Sequence, residues 1–378
     1  MSATAPIPMV HTIDALTCGF RRFLQARPGP KATAAGRTTC YRSVKMRPDA
    51  ESLPTGMNRW VHGLASLKLT LVGLILLVPA SAAIYKLDQS AAPWLAAPLS
   101  LLALNLMAAI ATNGVFRKNT PLLIFHLALL GIVILAAAGR LTYLNGAAEV
   151  TEGTPFSGLR HSDAGPLHPW HINWVQFINE GMEIDYTLGP VRVSTVSKVR
   201  WIDERGIEQS GVTRENHPLV VYGYHFTVSS NKGFAPVLLW RPKVGEPVLG
   251  AVHMPSYPAN AGAQETTWRP YNNQKGFWLA LPFKETLIPA DRASQFRLPD
   301  DRRLVVRAGD GRWVLQPGES VQLPEGVLEY QELRTWMGYQ VTYDWTVPWL
   351  LAASLVAVLS LAWFFWHKFA ARPWNMDN

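Results

Sequence analysis

Four stretches of the sequence contain no Asp, Glu, Lys or Arg, and they restrict the possible folds more than any other feature. They run from Leu69 to Tyr85, from Gln89 to Phe116, from Asn119 to Gly139 and from Trp345 to Trp366. A helix that crosses a bilayer core needs about 17 to 25 apolar residues, and each stretch is long enough. Four such helices buried in one soluble domain are the less favoured alternative. We therefore predict an integral membrane protein.

The predicted organisation is four transmembrane α-helices with one large β-rich extracytoplasmic domain between helices 3 and 4. The boundaries are residues 66–86, 92–114, 120–140 and 347–367 for the helices, 141–345 for the domain and 368–378 for a cytoplasmic tail. Residues 141–346 carry 19 basic and 22 acidic side chains, so the net charge of +8 does not come from this domain. The basic excess lies beside the spans and indicates membrane orientation, not a nucleic-acid partner.

The basic clusters predict the orientation. Basic residues accumulate on cytoplasmic loops, and here they lie before the first span at Arg59, between the second and third spans at Arg117 and Lys118, and after the fourth span at Lys368 and Arg372. Four alternating crossings place all of these clusters on the same side. Both termini are then cytoplasmic, and the β-rich domain lies on the other side.

Residues 1–56 are rich in Ala, Arg, Thr and Pro, and they show no apolar periodicity. They also lack the apolar stretch that a signal peptide requires. Two interpretations stay open: a disordered cytoplasmic segment, or a start codon assigned too early, with Met57 as the true start. Cys18 and Cys40, the only cysteines, both lie here, so the β-rich domain has no disulfide.

Short runs of β-forming residues fill the region between the third and fourth spans, for example Val191 to Val199 and Gly338 to Tyr343. Turn sequences such as Ala308 to Gly311 and Gln316 to Gly318 separate them, which favours an antiparallel sandwich or barrel. The region has no glycine-rich phosphate loop and no His-Glu-x-x-His or Gly-x-Ser-x-Gly motif. The sequence therefore gives no support to a hydrolytic site.

Three histidines, His161, His168 and His171, lie within eleven residues and are interleaved with Trp170 and Trp174. This pattern is compatible with a weak metal-ligand cluster or with contact to a flat aromatic ligand. The commoner explanation is a loop at the bilayer surface, since Trp concentrates at headgroup level. We expect structural roles for the isolated histidines of the domain, which are His217, His225 and His253.

His126 lies inside the third predicted span, about 10 Å from its cytoplasmic end at about 1.5 Å per residue. Ionisable residues at membrane depth are costly and indicate function. A neutral imidazole can serve as an axial ligand of haem iron. The alternative is a hydrogen bond to a neighbouring helix, for example to Asn105. His367 lies at the end of the fourth span, so a second axial ligand would have to come from another protein.

The order of several short motifs resembles the ResB (CcsB) family of cytochrome c biogenesis, system II, from about residue 60 to residue 370. These motifs are Ser66 to Thr70, Leu104 to Leu106, Phe125 to Leu127 with Gly131, Glu152-Gly153, Asn216 to Leu219, Gly223 to Phe226, and Leu333 to Val341. The chain departs from the family pattern at Asp344-Trp345-Thr346, where Asp-Pro-Gly is usual. With this departure, the chain resembles a divergent branch of the ResB-like proteins.

The resemblance implies an assembly factor of the bacterial inner membrane. Such a protein works with a ResC (CcsA) partner in haem export and delivery to apocytochrome c. The family's transmembrane haem ligand corresponds to His126, which implies a transient haem b shared with the partner. The partner's haem-handling Trp-Trp-Asp motif is absent here. The chain would thus be the non-ligase component and not an enzyme by itself.

Two other functions stay open at this point. A membrane subunit of a quinol-oxidising respiratory complex normally holds its b-haem with paired in-span histidines, and this chain has one. An extracytoplasmic sensor or binding module would need a cytoplasmic output domain, and few residues follow the fourth span.

Overall fold

The computed structural model describes residues 56–87, 92–189, 191–259, 262–271, 273 and 276–370. The expectations for residues 1–55 and for the tail at 371–378 lie outside these described residues. The helices are α1 (Gly56–Leu64), α2 (Leu67–Leu87), α3 (Ala92–Thr112), α4 (Gly114–Lys118), α5 (Thr120–Thr142) and α6 (Val347–Ala370).

Four of these helices, α2, α3, α5 and α6, are long and apolar enough to cross a membrane. Their bounds lie within three residues of the predicted ones. The structure adds the short helices α1 and α4, which the charge pattern did not predict. The chain is therefore a multi-pass membrane protein.

Helix α5 lies between α3 and α6, and α2 packs on α3. Asn105, a buried residue of α3, joins this bundle to the link between α1 and α2. Its Nδ2 donates to the backbone oxygens of Leu64 at 2.6 Å and Ser66 at 3.0 Å, and its Oδ1 accepts from Thr70 Oγ1 at 2.7 Å. This polar side chain is thus paired at both ends, as side chains at membrane depth usually are.

The fifteen strands among the described residues form three antiparallel sheets. They are β1 (Leu144–Thr151), β2 (His161–Ala164), β3 (Phe177–Thr187), β4 (Val191–Ile202), β5 (Glu208–Arg214), β6 (Leu219–Val221), β7 (Tyr224–Pro242), β8 (Val248–Ala251), β9 (Glu265–Trp268), β10 (Phe277–Ala280), β11 (Ser294–Gln295), β12 (Leu304–Ala308), β13 (Gly311–Leu315), β14 (Ser320–Leu323) and β15 (Gly326–Tyr343). The sheet orders are β2-β1-β15-β7-β6, with β14 on β15 and β8 on β7; β13-β12-β10-β9; and β11-β3-β4-β5.

The antiparallel domain is confirmed, but its three sheets around one hydrophobic core are neither the two-sheet sandwich nor the barrel that we expected. The central pair, β7 and β15, is unusually long, and two register shifts interrupt it. Such bulges bend a strand and increase its twist. One long, bent ribbon therefore serves as the spine on which the other strands pair.

The domain begins and ends on neighbouring strands. Strand β1 follows α5 directly and pairs with β15, which leads into α6, so that Leu144 lies opposite Tyr343. The unusual Asp344-Trp345-Thr346 segment makes the entry to α6: Asp344 Oδ1 accepts from Thr346 N at 3.0 Å, and Trp345 Nε1 donates to Thr142 Oγ1 at 3.0 Å. The departure from Asp-Pro-Gly thus keeps a junction that hydrogen bonds hold in place.

Candidate functional site

His126 lies one and a half turns into α5, whose first turn begins at Thr120 with a proline at Pro121. A proline suits the first helical turn because the amide it lacks has no partner there. Apart from His126 itself, no side chain of α5 before Arg140 can carry a charge, so the imidazole lies in an apolar helix. At about 1.5 Å per residue, His126 is about 9 Å from the helix start.

The ring of His126 is held by its own helix. Its Nδ1 lies 2.7 Å from the backbone oxygen of Leu122. Because a carbonyl oxygen only accepts, Nδ1 carries the proton, and Nε2 keeps its lone pair in the neutral ring. No described residue makes a hydrogen bond with Nε2. A histidine fixed through one ring nitrogen in this way presents the other nitrogen as a metal ligand.

Two phenylalanines flank the ring of His126. The Phe116 ring centroid is 4.4 Å away at a tilt of 51°, and the Phe125 centroid is 5.1 Å away, edge-on at 88°. The imidazole is half-buried, so part of it stays accessible. Phe116 belongs to α4, and the sequence did not predict its contact with His126, because that contact depends on the turn between α4 and α5.

The sequence suggested Asn105 as an alternative hydrogen-bond partner of His126, and this suggestion is wrong. Asn105 makes all of its hydrogen bonds to Leu64, Ser66 and Thr70, and none to His126. The suggestion rested only on the fact that both residues are polar and lie in spans. Backbone oxygens of Leu64 and Ser66 and the hydroxyl group of Thr70 bond the amide instead.

The structure does not bring His161, His168 and His171 together as a metal site. Among the described residues, no group of three or more His, Cys, Asp or Glu side chains is placed to hold a metal ion. His161 is on β2 and exposed, while His171 stacks on Trp174 with centroids 4.4 Å apart. The three side chains have different neighbours, because the loop is bonded to the backbone at the end of α5.

His168 is the buried member of the three. Its Nδ1 donates to Thr142 O at 2.7 Å, and its Nε2 lies 2.7 Å from Tyr224 Oη. Burial lowers the pKa of His168 below its usual value, and burial raises the pKa of Tyr224 to about 12. A neutral His168 therefore clamps the loop to the end of α5 and to the start of β7.

His253, expected to be structural, joins a network in the β-rich domain. Its Nδ1 lies 2.8 Å from Glu149 Oε2, and its Nε2 lies 2.8 Å from Thr151 Oγ1. Burial alone would raise the pKa of Glu149, but the bond to His253 and the charge of Arg160, 3.2 Å away, bring it below the usual value. Thr151 is buried, so it is not placed to act as a nucleophile on a substrate.

A cleft of about 480 Å³ lies between the spans near the other end of α5, lined by residues that include Arg140, Asp344 and Thr346. Arg140 is fourteen residues from His126, or about 21 Å along the helix. The cleft is thus separate from the histidine.

Comparison with known protein families gives a match. The ResB-like family matches residues 105–369, which is more than half of the chain and runs from α3 to the end of α6. A search of curated proteins found no match. The matched region includes His126, the whole β-rich domain and the last span. The chain therefore belongs to the ResB-like family, which is associated in general with cytochrome c biogenesis.

Proposed function

We propose that this chain is a non-enzymatic assembly factor that works with a ResC (CcsA)-like membrane protein in haem export and delivery to apocytochrome c. In this proposal the chain contributes one haem ligand, His126, from inside the membrane. Family membership supports the general process. The observation that carries the proposal is the Nδ1 bond of His126 to Leu122, which leaves Nε2 without a partner among the described residues.

The surroundings of His126 fit a haem group. Haem would supply an iron that an imidazole nitrogen with a free lone pair can ligate. The Leu122 carbonyl orients the ring, and Phe116 and Phe125 provide apolar contact while keeping water away. A hydrogen bond to the second nitrogen also makes a histidine a better ligand.

The number of histidines in the spans supports the proposed partner. His367, the other histidine of a spanning helix, lies in the last turn of α6 next to Trp363. A haem with two axial histidines would thus take its second ligand from the ResC-like protein. The same count argues against the quinol-oxidising subunit, which needs an in-span pair of its own.

The proposed location is the bacterial inner membrane, with both termini in the cytoplasm and the β-rich domain outside. The basic residues Arg117 and Lys118 support this orientation, because they lie between the second and third spans on the side where α5 begins. His126 would then lie in the cytoplasmic half of the bilayer.

The test is to purify the complex of this chain with its ResC-like partner as the His126→Ala variant and to measure the haem-to-protein ratio and the absorption spectrum. We expect bound haem to fall several-fold and cytochrome c maturation to fail, with partial recovery when imidazole is added. Alanine suits a helix, so the fold should persist. The matched control is His367→Ala, which should keep both properties. Unchanged haem and normal cytochrome c in His126→Ala would refute the proposal.

A further inference from the structure

A cluster of exposed apolar side chains lies where the β-rich domain meets the spans. We call Leu167, Trp170, Trp174 and Trp345 the aromatic edge; they are 66%, 49%, 58% and 43% exposed. Residues 165–175 contain no Asp, Glu, Lys or Arg. Large exposed apolar groups gathered on a surface mark a site of contact with another apolar phase or molecule.

Hydrogen bonds fix the height of this edge relative to the spans. Gly165 N donates to Tyr143 O at 2.9 Å, and Leu167 N donates to Leu141 O at 2.8 Å. The side chains of His168 and Trp345 both bond to Thr142. The loop is thus tied at three points, and Trp345 at a fourth, to residues 141–143 at the end of α5.

The length of α5 places that turn at the membrane surface. Its 23 residues extend about 34 Å at about 1.5 Å per residue, slightly more than the roughly 30 Å of a hydrocarbon core. Whatever lies beside the last turn is therefore at the level of the lipid headgroups.

Local backbone geometry holds the tryptophans outward. Trp170 has φ 56° and starts a 3₁₀ helix, His171–Trp174, while Trp174 meets the ring of Tyr222 edge-on at 5.7 Å. Tyr222 has φ 51°, and it and Trp170 are the two non-glycine residues with positive φ in the described part of the chain. Such conformations persist only where the surrounding contacts enforce them. Both of these residues lie at the aromatic edge or in contact with it, which indicates that its shape is fixed by the fold.

We propose that the aromatic edge lies in the headgroup layer of the leaflet on the side of the β-rich domain, with phospholipid as its contact. Indole rings suit this layer because they are apolar with one polar N–H group. The edge would fix the tilt of the domain on the membrane, in addition to the two chain connections through α5 and α6. This inference does not depend on haem binding by His126.

The experiment uses the full chain with Cys18→Ser and Cys40→Ser, reconstituted in vesicles of phosphatidylethanolamine and phosphatidylglycerol. A nitroxide is attached to one new cysteine, Leu167→Cys. The matched control is Val244→Cys, an aliphatic position 89% exposed in the turn after β7, at the far end of that strand from Tyr224. The measurement is the relaxation of each label by oxygen, which concentrates in lipid, and by a water-soluble nickel chelate.

We expect the ratio of oxygen to nickel accessibility to be several-fold higher at position 167 than at position 244. Equal ratios would overturn the proposal, and so would protection of position 167 from both reagents, because that pattern means burial against protein. Brominated phospholipids give a second readout that needs no label. The double variant Trp170→Phe, Trp174→Phe should lose part of the lipid-quenched tryptophan emission of the parent, and an unchanged quenched fraction would contradict the proposal.

Discussion

Polar side chains in the spans bond mostly within their own helix, whereas those of the β-rich domain bond across long distances in sequence. Thr112 bonds to Ala108 O, Ser360 to Val356 O and His126 to Leu122 O, all within one helical turn. In the domain, Thr335 bonds to Glu152 and His253 bonds to Glu149. The first pattern leaves each helix stable by itself in lipid. The second makes the domain dependent on the whole of its fold.

The histidines of the two regions differ in the same way. In the domain, His168 and His253 use both ring nitrogens to join distant strands and loops. In the span, His126 uses one nitrogen locally, and the other has no hydrogen-bond partner among the described residues. A histidine bonded through both ring nitrogens stabilises the fold, whereas one with a free lone pair is available to a ligand.

The largest expected effect concerns the side of the membrane on which the β-rich domain lies, compared with the loop between the second and third spans. A reporter enzyme that is active only outside the cytoplasm should be active when fused after Gly146 and silent when fused after Lys118. In the proposed orientation, the basic residues around Lys118 keep that loop in the cytoplasm. The opposite activities would reverse the orientation and place the β-rich domain in the cytoplasm.

The next effect compares the two kinds of apolar surface. Phe234 is fully buried and packs on Tyr257, Phe283 and Phe296, so Phe234→Ala should destabilise the domain by about 4 kcal/mol. Leu359 on α6 is 68% exposed, and Leu359→Ala should cost less than about 0.5 kcal/mol. Thermal unfolding of both purified variants checks this. Equal losses would mean that α6 is packed as tightly as the core.

The network at Glu149 should show a dependence on pH. Because the folded protein lowers the pKa of Glu149, the ionised carboxylate adds stability above its ordinary pKa, and this contribution is lost as the pH falls through the folded value. Glu149→Gln should therefore cost about 2 kcal/mol at neutral pH. The difference from the parent should shrink in acid, below about pH 4.5.

Glu183→Gln is the matched control, since Glu183 pairs with Lys198 on the exposed surface. It should change thermal stability little at any pH, because exposed ion pairs contribute little. A Glu149 variant whose loss of stability stays constant into acid would show that packing, not charge, is responsible.

The smallest effect is expected at Asn105. Asn105→Ala removes three hydrogen bonds from α3 to Leu64, Ser66 and Thr70, which span the end of α1 and the start of α2, and such bonds in membranes are worth about 1 kcal/mol or less each. We expect a modest fall in the resistance of the purified protein to unfolding by detergent. Asn113→Ala, which removes only the cap of the five-residue α4, should have a still smaller effect. A greater loss at Asn113 would contradict the role given to Asn105.

Much of the candidate site could be anticipated from the sequence. The charge-free stretches predicted α5 to within three residues, and they placed His126 inside it. The sequence could not predict the bond to Leu122 or the approach of Phe116, because both depend on side-chain rotamers and on the turn at Asn119. The sequence pattern of His161, His168 and His171 is compatible with a weak ligand cluster, but in the structure His168 holds the loop against Thr142.

The sequence by itself determined the four spans, their order and the ResB-like resemblance. Membrane helices satisfy their own backbone and bury apolar side chains in lipid, so local composition is enough to specify them. Only the tertiary structure decided that β1 pairs with β15, that three sheets share one core, and that Glu149 meets His253. These contacts join residues about a hundred or more positions apart, and no local pattern selects one distant partner over another.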